Sequence, residues 1–295
     1  MSLLTESYSL IRTIYSHPYN RQKPLFALYR ALRWQLHKRL SADSRTYNYW
    51  GTRKITCHPD SLQSMWLVYN YYMDWDEFHF IKRYLQRASV VVDVGANVGV
   101  YTLWISQYLG SEGRLIAFEP DPENYLRCAE NIRQNDLAMV ELEQKAVSNR
   151  SGALEFSVGK DMENHLIPDE GESGFSIRVE AITLDEYCRE HEIAKIDFLK
   201  IDVEGAELLV LQGAADALAS CLIGVIQLEV TDAHKRYRIK RSDLLDLLHR
   251  HRYLLYTYSC VDNELHAVRD DDEAPQNVFA IHDIDEVRRR LQLFS

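Results

Sequence analysis

Residues 90–119, VVVDVGANVGVYTLWISQYLGSEGRLIAFE, constrain the fold of this chain more than any other stretch. A β-branched run ends at Asp93, and two glycines, Gly95 and Gly99, precede an apolar segment with helical spacing. A second apolar run then stops at Glu119. This pattern predicts a strand, a tight glycine loop, a helix and a parallel strand, which together form the βαβ unit of a nucleoside-binding sheet.

The glycine spacing in this loop distinguishes two classes of ligand. A dinucleotide site requires G-x-G-x-x-G, because the backbone must approach a pyrophosphate at a helix N-terminus, whereas this loop reads G-A-N-V-G. The missing middle glycine disfavours a nicotinamide-dependent oxidoreductase and favours a ligand without phosphate, such as S-adenosylmethionine. Glu119 would then accept hydrogen bonds from both ribose hydroxyls, and Asp93 would order the loop or meet the methionine ammonium group.

Four strings follow one another in order: DVGANVGVYT, AFEPDPENY, KAVSNRSG and FLKIDVEGAELLVLQGA. Over residues 90–230, roughly half of the chain, the sequence resembles the FkbM-type methyltransferases, a branch of the class I S-adenosylmethionine-dependent enzymes. The resemblance implies an α/β, Rossmann-like fold with a mostly parallel seven-stranded sheet, helices on both faces and one antiparallel strand near the edge. It also implies methylation of a hydroxyl group, often on a sugar or a secondary metabolite.

The resemblance assigns a cofactor role to the glycine loop, to the segment at Glu119, to Asp202 and to the small residues against which adenine would lie. These residues are Asp93, Gly95, Asn97, Gly99, Tyr101, Thr102, Glu119, Pro120, Ala146, Val147 and Asp202. Asp121 could also contact the adenosine, but an acid at this position more often caps the helix that follows.

Residues 196–214, IDFLKIDVEGAELLVLQGA, form the second informative stretch. They predict a buried strand whose carboxyl end presents Lys200, Asp202 and Glu204. Ligands of open α/β sheets bind beyond the carboxyl ends of the strands, so we expect Asp93 and Asp202 to face one cleft. Two nearby carboxylates in a partly buried cleft raise the pKa of one of them, which would create a proton acceptor.

We therefore predict that Asp202 is the general base, and that Lys200 or Glu204 helps to hold the substrate. Glu229, at the end of the next strand, is a further cleft-facing carboxylate among the catalytic candidates, and His234 is an alternative base. A divalent metal bound by Asp202, Glu204 and Glu229 remains an alternative, since oxygen ligands suit magnesium. Spacing alone does not establish that site, and our assignment contains no metal.

Residues 151–158 and 175–182 are predicted to be two further strands, separated by a polar, acidic loop at residues 159–174. Insertions of this kind on a catalytic scaffold usually contact the substrate. His165 lies in this loop, and we expect it to be an ordinary solvated histidine.

Residues 1–86 are predicted to form an N-terminal helical and hairpin extension, and residues 87–295 the methyltransferase domain. In the extension, residues 24–40 have an amphipathic, basic helical pattern with a leucine stripe from Leu25 to Leu40. Two interpretations stay open. The helix could rest on an anionic membrane surface, or it could pack on the catalytic domain or on a partner subunit, as in a homodimer, which is the commoner use of such a helix.

The rest of the extension has weaker signals. Residues 54–56 and 65–69 are predicted to pair as a small β-hairpin around the turn HPDS, and the polar residues 41–51 to form a linker or loop. A helix over residues 74–86 follows.

Three aromatic residues next to that helix have two interpretations of equal weight. The resemblance implies that this segment forms part of a lid over the cofactor, so that Tyr71, Tyr72 and Trp75 would cover the ligand. Alternatively, they are ordinary core residues.

Composition excludes several classes of function. A net charge of −10 argues against a protein that binds nucleic-acid backbones, and the five cysteines lack the spacing of a zinc site or a disulfide scaffold. With no signal-peptide pattern in residues 1–13, we expect a cytoplasmic enzyme. The predicted function is S-adenosylmethionine-dependent O-methylation of a sugar, glycoconjugate or secondary metabolite. The alternative is a non-catalytic, cofactor-binding scaffold module of a biosynthetic complex.

Overall fold

The computed structural model describes residues 12, 14–159, 164–167, 175–230, 232–237, 239–268 and 277–293. The chain divides into two compact units, Met1–His79 and Phe80–Ser295. No helix in the described part of the chain combines the length and the hydropathy that are needed to cross a lipid bilayer.

The first unit is built from helices and one hairpin. Its elements are α1 (Pro18–Gln22), α2 (Pro24–Leu40), β1 (Arg45–Tyr49), β2 (Arg53–Cys57), α3 (Leu62–Asn70) and the first half of α4 (Trp75–Tyr84). Strands β1 and β2 pair antiparallel. Trp50 and Gly51 between them have φ angles of +50° and +77°, and positive φ angles are typical of tight hairpin turns.

The predicted position of this hairpin was wrong. Residues 41–51, expected to be a linker, contain strand β1, and residues 65–69, expected to be a strand, lie in helix α3. Ser61 caps that helix, because its hydroxyl accepts a hydrogen bond from the backbone N–H of Ser64 at 3.2 Å. A short apolar run such as residues 65–69 fits a strand and a buried helix equally well, so the cap and not the run determines the structure.

The second unit alternates strands and helices. Its elements are the second half of α4, β3 (Val90–Val94), α5 (Val100–Ile105), β4 (Arg114–Phe118), α6 (Pro122–Arg133), β5 (Val140–Glu143), β6 (Ala146–Val147), β7 (Gly152–Ser157), β8 (Ser176–Ile182), α7 (Leu184–Glu190), β9 (Ile196–Ile201), α8 (Glu207–Gln212), α9 (Ala215–Ala219), β10 (Ile223–Glu229), a 3-10 helix (Asp232–Tyr237), α10 (Arg241–Arg250), β11 (Leu254–Ser259), β12 (Glu264–Ala267), β13 (Asn277–Ile281) and α11 (Ile284–Gln292).

The main sheet has the strand order β12-β11-β13-β10-β9-β3-β4-β5. Strands β5, β4, β3, β9 and β10 are parallel, while β13 runs antiparallel to both of its neighbours, β10 and β11. The α/β, mostly parallel fold is confirmed, but the sheet has eight strands because β12 pairs with β11 at the edge. Strands β6, β7 and β8 form a separate three-stranded sheet.

The main sheet is covered on both faces, as its apolar strands require. Every residue of the central strand β9 is buried. Phe80, from the second half of α4, packs with its ring centroid 6.2 Å from that of Phe198 on one face. On the other face Leu199 and Ile201 join the large apolar core that includes Leu211 of α8. The polar groups at the carboxyl ends of the strands are therefore held by a rigid framework.

Candidate active site

The loop between β3 and α5 is shaped by three residues with positive φ angles. Gly95, Asn97 and Gly99 have φ angles of +82°, +51° and +90°. The backbone N–H groups of Gly95 and Ala96 both donate to the carbonyl of Phe118, at 3.0 Å. The loop therefore closes over the end of β4 and brings its backbone close to Glu119.

We expect Gly95→Ala to destabilise the protein by about 3 kcal/mol, from left-handed backbone strain and a steric clash. A Cβ atom at Gly95 would lie 1.9 Å from the backbone carbonyl oxygen of Asp202, which belongs to the neighbouring strand end. The measurement is urea unfolding. The matched control is Gly159→Ala, where φ is +85° and no atom lies within 4 Å of the added Cβ. Equal losses in the two variants would show that the close approach to Asp202 is unimportant.

Glu119 holds the loop through both of its carboxylate oxygens. Oε2 accepts a hydrogen bond from the N–H of Asn97 at 2.7 Å, and Oε1 accepts one from the N–H of Asp121 at 2.8 Å. The side chain is only 5% exposed. Burial raises the pKa of Glu119 to about 8, and the two N–H donors oppose this shift. Each oxygen retains a second lone pair with which it could accept a ligand hydroxyl.

Asp121 caps helix α6, as the sequence predicted. Its Oδ1 accepts hydrogen bonds from the N–H groups of Glu123 and Asn124, both at 2.9 Å. Its Oδ2 accepts from the side-chain amide of Asn164 at 3.0 Å. Asn164 of the polar insertion therefore lies beside the end of β4.

Asp93, Lys200 and Gln227 form a row across the carboxyl half of the sheet. The parallel register pairs Lys200 of β9 with Asp93 of β3 on one side and with Gln227 of β10 on the other. Paired residues of adjacent strands face the same side of a sheet, so the three side chains lie side by side on one face. Sequence spacing predicts the face of each strand but not this register.

Lys200 is the centre of the row and is only 3% exposed. Its Nζ lies 3.1 Å from Oδ2 of Asp202 and 3.5 Å from Oδ1 of Asp93, and it donates to the carbonyl of Gly95 at 3.0 Å. Burial alone would lower the pKa of Lys200, but the charges of Asp202 and Asp93 outweigh burial and raise it. Thr102 donates to the other oxygen of Asp93 at 2.7 Å.

The repulsion that we expected between Asp93 and Asp202 is offset by this ammonium group. Both carboxylates contact Lys200, which the sequence analysis treated only as a substrate-holding group. Lys200 is therefore the link between the cofactor loop and the acids of the cleft. Its Nζ also lies 4.9 Å from the centroid of the Tyr101 ring, within the range of a cation–π interaction.

Gln227 is a residue of this site that the sequence analysis missed. Its Nε2 donates to the hydroxyl of Tyr101 at 3.0 Å, whereas its Oε1 is buried and has no hydrogen-bond partner. A buried acceptor without a donor is costly, and such groups often mark a place where a ligand binds. Gln227 is a single glutamine in the otherwise apolar run IGVIQLE, and this isolated polar residue is the sequence signal that could have identified it.

Asp202, Glu204 and Glu229 form a carboxylate cluster, with one oxygen of each within 4.8 Å of the others. All three side chains are partly exposed. Glu204 has a φ angle of +55°, and its carbonyl accepts a hydrogen bond from Arg236 at 3.0 Å. The oxygens of the cluster would suit a divalent cation such as magnesium.

The remaining predicted residues have different surroundings. Pro120 follows Glu119 and is partly exposed, while Ala146 and Val147 are buried in strand β6. The side chain of His234 lies outside the described residues. The prediction that His165 is solvated was wrong, because His165 is 1% exposed and its backbone N–H donates to the hydroxyl of Ser157 at 2.9 Å.

The three aromatics considered for a lid belong to a ring cluster within the first unit. The rings of Tyr72 and Trp75 meet edge to face with centroids 5.2 Å apart, and Tyr71 stacks on Tyr19 at 4.8 Å. Each side chain is partly exposed. Their role as a lid stays a prediction.

A family model described as the methyltransferase FkbM domain matches residues 93–255, more than half of the chain. The match includes the glycine loop, Glu119, Lys200, the carboxylate cluster and Gln227.

Three named relatives are similar over part of their length. The hexuronic acid methyltransferase AglP of Haloferax volcanii is 27% identical over 170 residues, which cover 57% of this chain and 67% of AglP. The 2-O-methyltransferase NoeI of Sinorhizobium fredii is 30% identical over 149 residues, covering 44% and 58%. The 31-O-demethyl-FK506 methyltransferase FkbM of Streptomyces tacrolimicus is 29% identical over 167 residues, covering 45% and 62%. The chain thus spans only about three fifths of NoeI and of FkbM.

Proposed function

Since the chain belongs to the FkbM family of S-adenosylmethionine-dependent methyltransferases, we propose that it methylates a hydroxyl group of a sugar or glycoconjugate. A hydroxyl of a secondary metabolite is the alternative acceptor. The observation that carries the proposal is the position of Lys200, which binds the cofactor loop at Gly95 and the carboxylate Asp202 at the same time.

The residues of the loop fit the cofactor. Glu119 has unused lone pairs on both oxygens for a ribose diol, and Oδ1 of Asp93 has no hydrogen-bond donor, although it faces Lys200. This oxygen would suit the methionine ammonium group. When bound, S-adenosylmethionine supplies an electrophilic methyl group on a sulfonium, whose transfer depends mainly on alignment with the attacking oxygen.

The carboxylate cluster is proposed to receive the proton that the acceptor hydroxyl loses. Each of the three side chains offers a carboxylate oxygen within 4.8 Å of the other two, so a hydroxyl that binds among them would have a proton acceptor nearby. Asp202 is held by Lys200, so the cluster has a fixed position relative to the loop. Removal of a hydroxyl proton by a positioned base typically accelerates a reaction by about 10²–10⁴-fold.

The choice of a sugar acceptor follows from the relatives. AglP is named for a hexuronic acid and NoeI for a 2-O position. A sugar hydroxyl is a weak acid, and transfer to it benefits from a neighbouring acceptor of its proton. Asp202, Glu204 and Glu229 supply acceptors of this kind.

Gln227 is proposed to accept a hydrogen bond from a bound ligand through its buried Oε1. We expect Gln227→Met to change the free energy of unfolding by less than about 1 kcal/mol, because removal of the unsatisfied buried acceptor offsets the loss of the hydrogen bond to Tyr101. Either the affinity for S-adenosylhomocysteine should fall about tenfold, or the KM for the acceptor should rise about tenfold. Tenfold is the effect expected from the loss of one hydrogen bond. Calorimetry measures the affinity for S-adenosylhomocysteine, and initial-rate kinetics measure the KM for the acceptor. Gln212→Met, on α8 beyond this row, is the control, and unchanged values in both assays for Gln227→Met would contradict the role.

The function is tested by incubating the full chain with methyl-labelled S-adenosylmethionine and a panel of glycans. The expected result is a labelled O-methyl product on at least one sugar acceptor. Tight binding of S-adenosylhomocysteine without turnover on glycans or on hydroxylated metabolites would instead favour the scaffold alternative.

A further inference from the structure

Helix α2 presents a stripe of large apolar side chains that nothing in the described structure covers. We propose that this stripe, together with the basic residues beside it, docks the protein on the surface of an anionic lipid bilayer. The stripe consists of Leu25, Phe26, Tyr29, Leu32, Leu36 and Leu40, which are 80%, 51%, 56%, 61%, 58% and 77% exposed.

The opposite face of α2 is already packed. With about 100° of rotation per residue, the six stripe residues occupy one side of the helix, while Ala27, Ala31, Trp34 and His37 are buried on the other. Arg30 anchors this packed side by donating to the carbonyl of Tyr69 at 2.8 Å. The helix therefore packs these four side chains within its own unit and exposes the six stripe residues, which reverses the arrangement of an ordinary amphipathic surface helix.

Charge indicates what this surface binds. Residues 7–42 contain seven Lys and Arg and no Asp or Glu. Residues 1–79 carry 10 basic and 6 acidic side chains, whereas residues 80–295 carry 24 and 38. The segment that carries the exposed stripe is thus basic in an otherwise acidic protein. Apolar side chains flanked by basic ones are the combination that binds an anionic membrane surface.

The basic residues beside the stripe disfavour the binding of a second copy of the chain to the exposed face of α2. Arg33 and Arg39 are exposed and border the stripe on its two sides. Two copies packed stripe to stripe would bring these like charges together, which opposes association. On a bilayer the same two residues would face lipid phosphates while the leucines enter the acyl boundary.

Vesicle co-sedimentation of the full chain tests this proposal. We expect binding to phosphatidylcholine vesicles that contain about one third phosphatidylglycerol, and binding about tenfold weaker or more to pure phosphatidylcholine. Leu32→Glu with Leu36→Glu should lower the partition coefficient on anionic vesicles at least about tenfold. Arg33→Ser with Arg39→Ser should weaken the anionic binding and leave the weak neutral binding unchanged.

The matched control is Leu126→Glu with Val261→Glu, which changes two exposed apolar side chains of the second unit. Leu126 is 67% exposed and Val261 is 93% exposed. This control adds the same two negative charges as the stripe variant, and it should bind vesicles as strongly as the unmodified protein. All variants should retain S-adenosylhomocysteine affinity, which shows that they fold. Equal vesicle binding by the stripe variant and the unmodified protein, or no vesicle binding at all, would overturn the proposal. So would a dimer in analytical ultracentrifugation that the stripe variant abolishes without any change in vesicle binding.

Discussion

Asp202→Asn is expected to lower kcat by about 10²–10⁴-fold, the contribution of a positioned base. The variant keeps the size of the side chain and removes its charge. The amide cannot accept the proton of the acceptor hydroxyl, so the cluster with Glu204 and Glu229 loses one proton acceptor. Lys200 keeps its contacts with Asp93 and with the carbonyl of Gly95. We therefore expect the affinity for S-adenosylhomocysteine to change by less than about tenfold, a smaller effect than that on kcat.

Single-turnover kinetics with a confirmed acceptor separate these two effects. Asp246→Asn, an exposed change on α10, is the matched control and should leave kcat unaltered. Chelation with EDTA belongs in the same experiment. Turnover is expected to persist, whereas a loss that magnesium restores would reassign the cluster to metal binding. A kcat for Asp202→Asn within a few-fold of the unmodified value would remove Asp202 as the base.

Glu119→Ala is expected to weaken S-adenosylhomocysteine binding by about 100-fold. The variant removes the carboxylate that would accept two ribose hydroxyls, and hydrogen bonds to a charged group contribute about 1.5–3 kcal/mol each. It also leaves the N–H groups of Asn97 and Asp121 without their acceptor, which should destabilise the loop. Isothermal calorimetry measures the affinity, and urea unfolding measures the stability separately. Glu123→Ala, an exposed carboxylate change on the adjacent helix, is the control.

The pH dependence provides a second test of Glu119. Its pKa in the folded protein is raised by burial from an ordinary 4.5 to about 8. A raised pKa means that Glu119 stabilises the fold below pH 4.5 and that this contribution is lost as the pH rises toward 8. The unfolding free energy of the unmodified protein should therefore fall relative to Glu119→Ala between these values. Ligand binding to the ionised carboxylate should strengthen over the same range and release a proton. Affinities of the two proteins that agree within threefold at every pH would exclude Glu119 from the site.

The sequence alone determined the local features of this protein. Residues 90–119 predicted the strand, glycine loop and second strand that carry Asp93 and Glu119. Lys200 and Asp202 were predicted at the carboxyl end of a buried strand, where β9 ends. These features follow from hydrophobic periodicity and from the backbone angles that glycine allows, both of which act over a few residues.

The tertiary structure alone decided how distant residues meet. The register between β3, β9 and β10 places Lys200 between Asp93 and Gln227, and no pattern within one strand encodes that register. Packing also decided that the leucines of α2 point outward, because Ala27, Ala31 and Trp34 fill the inner face. Periodicity identifies an apolar stripe, but only the shape of the neighbouring elements determines which face of a helix they bury.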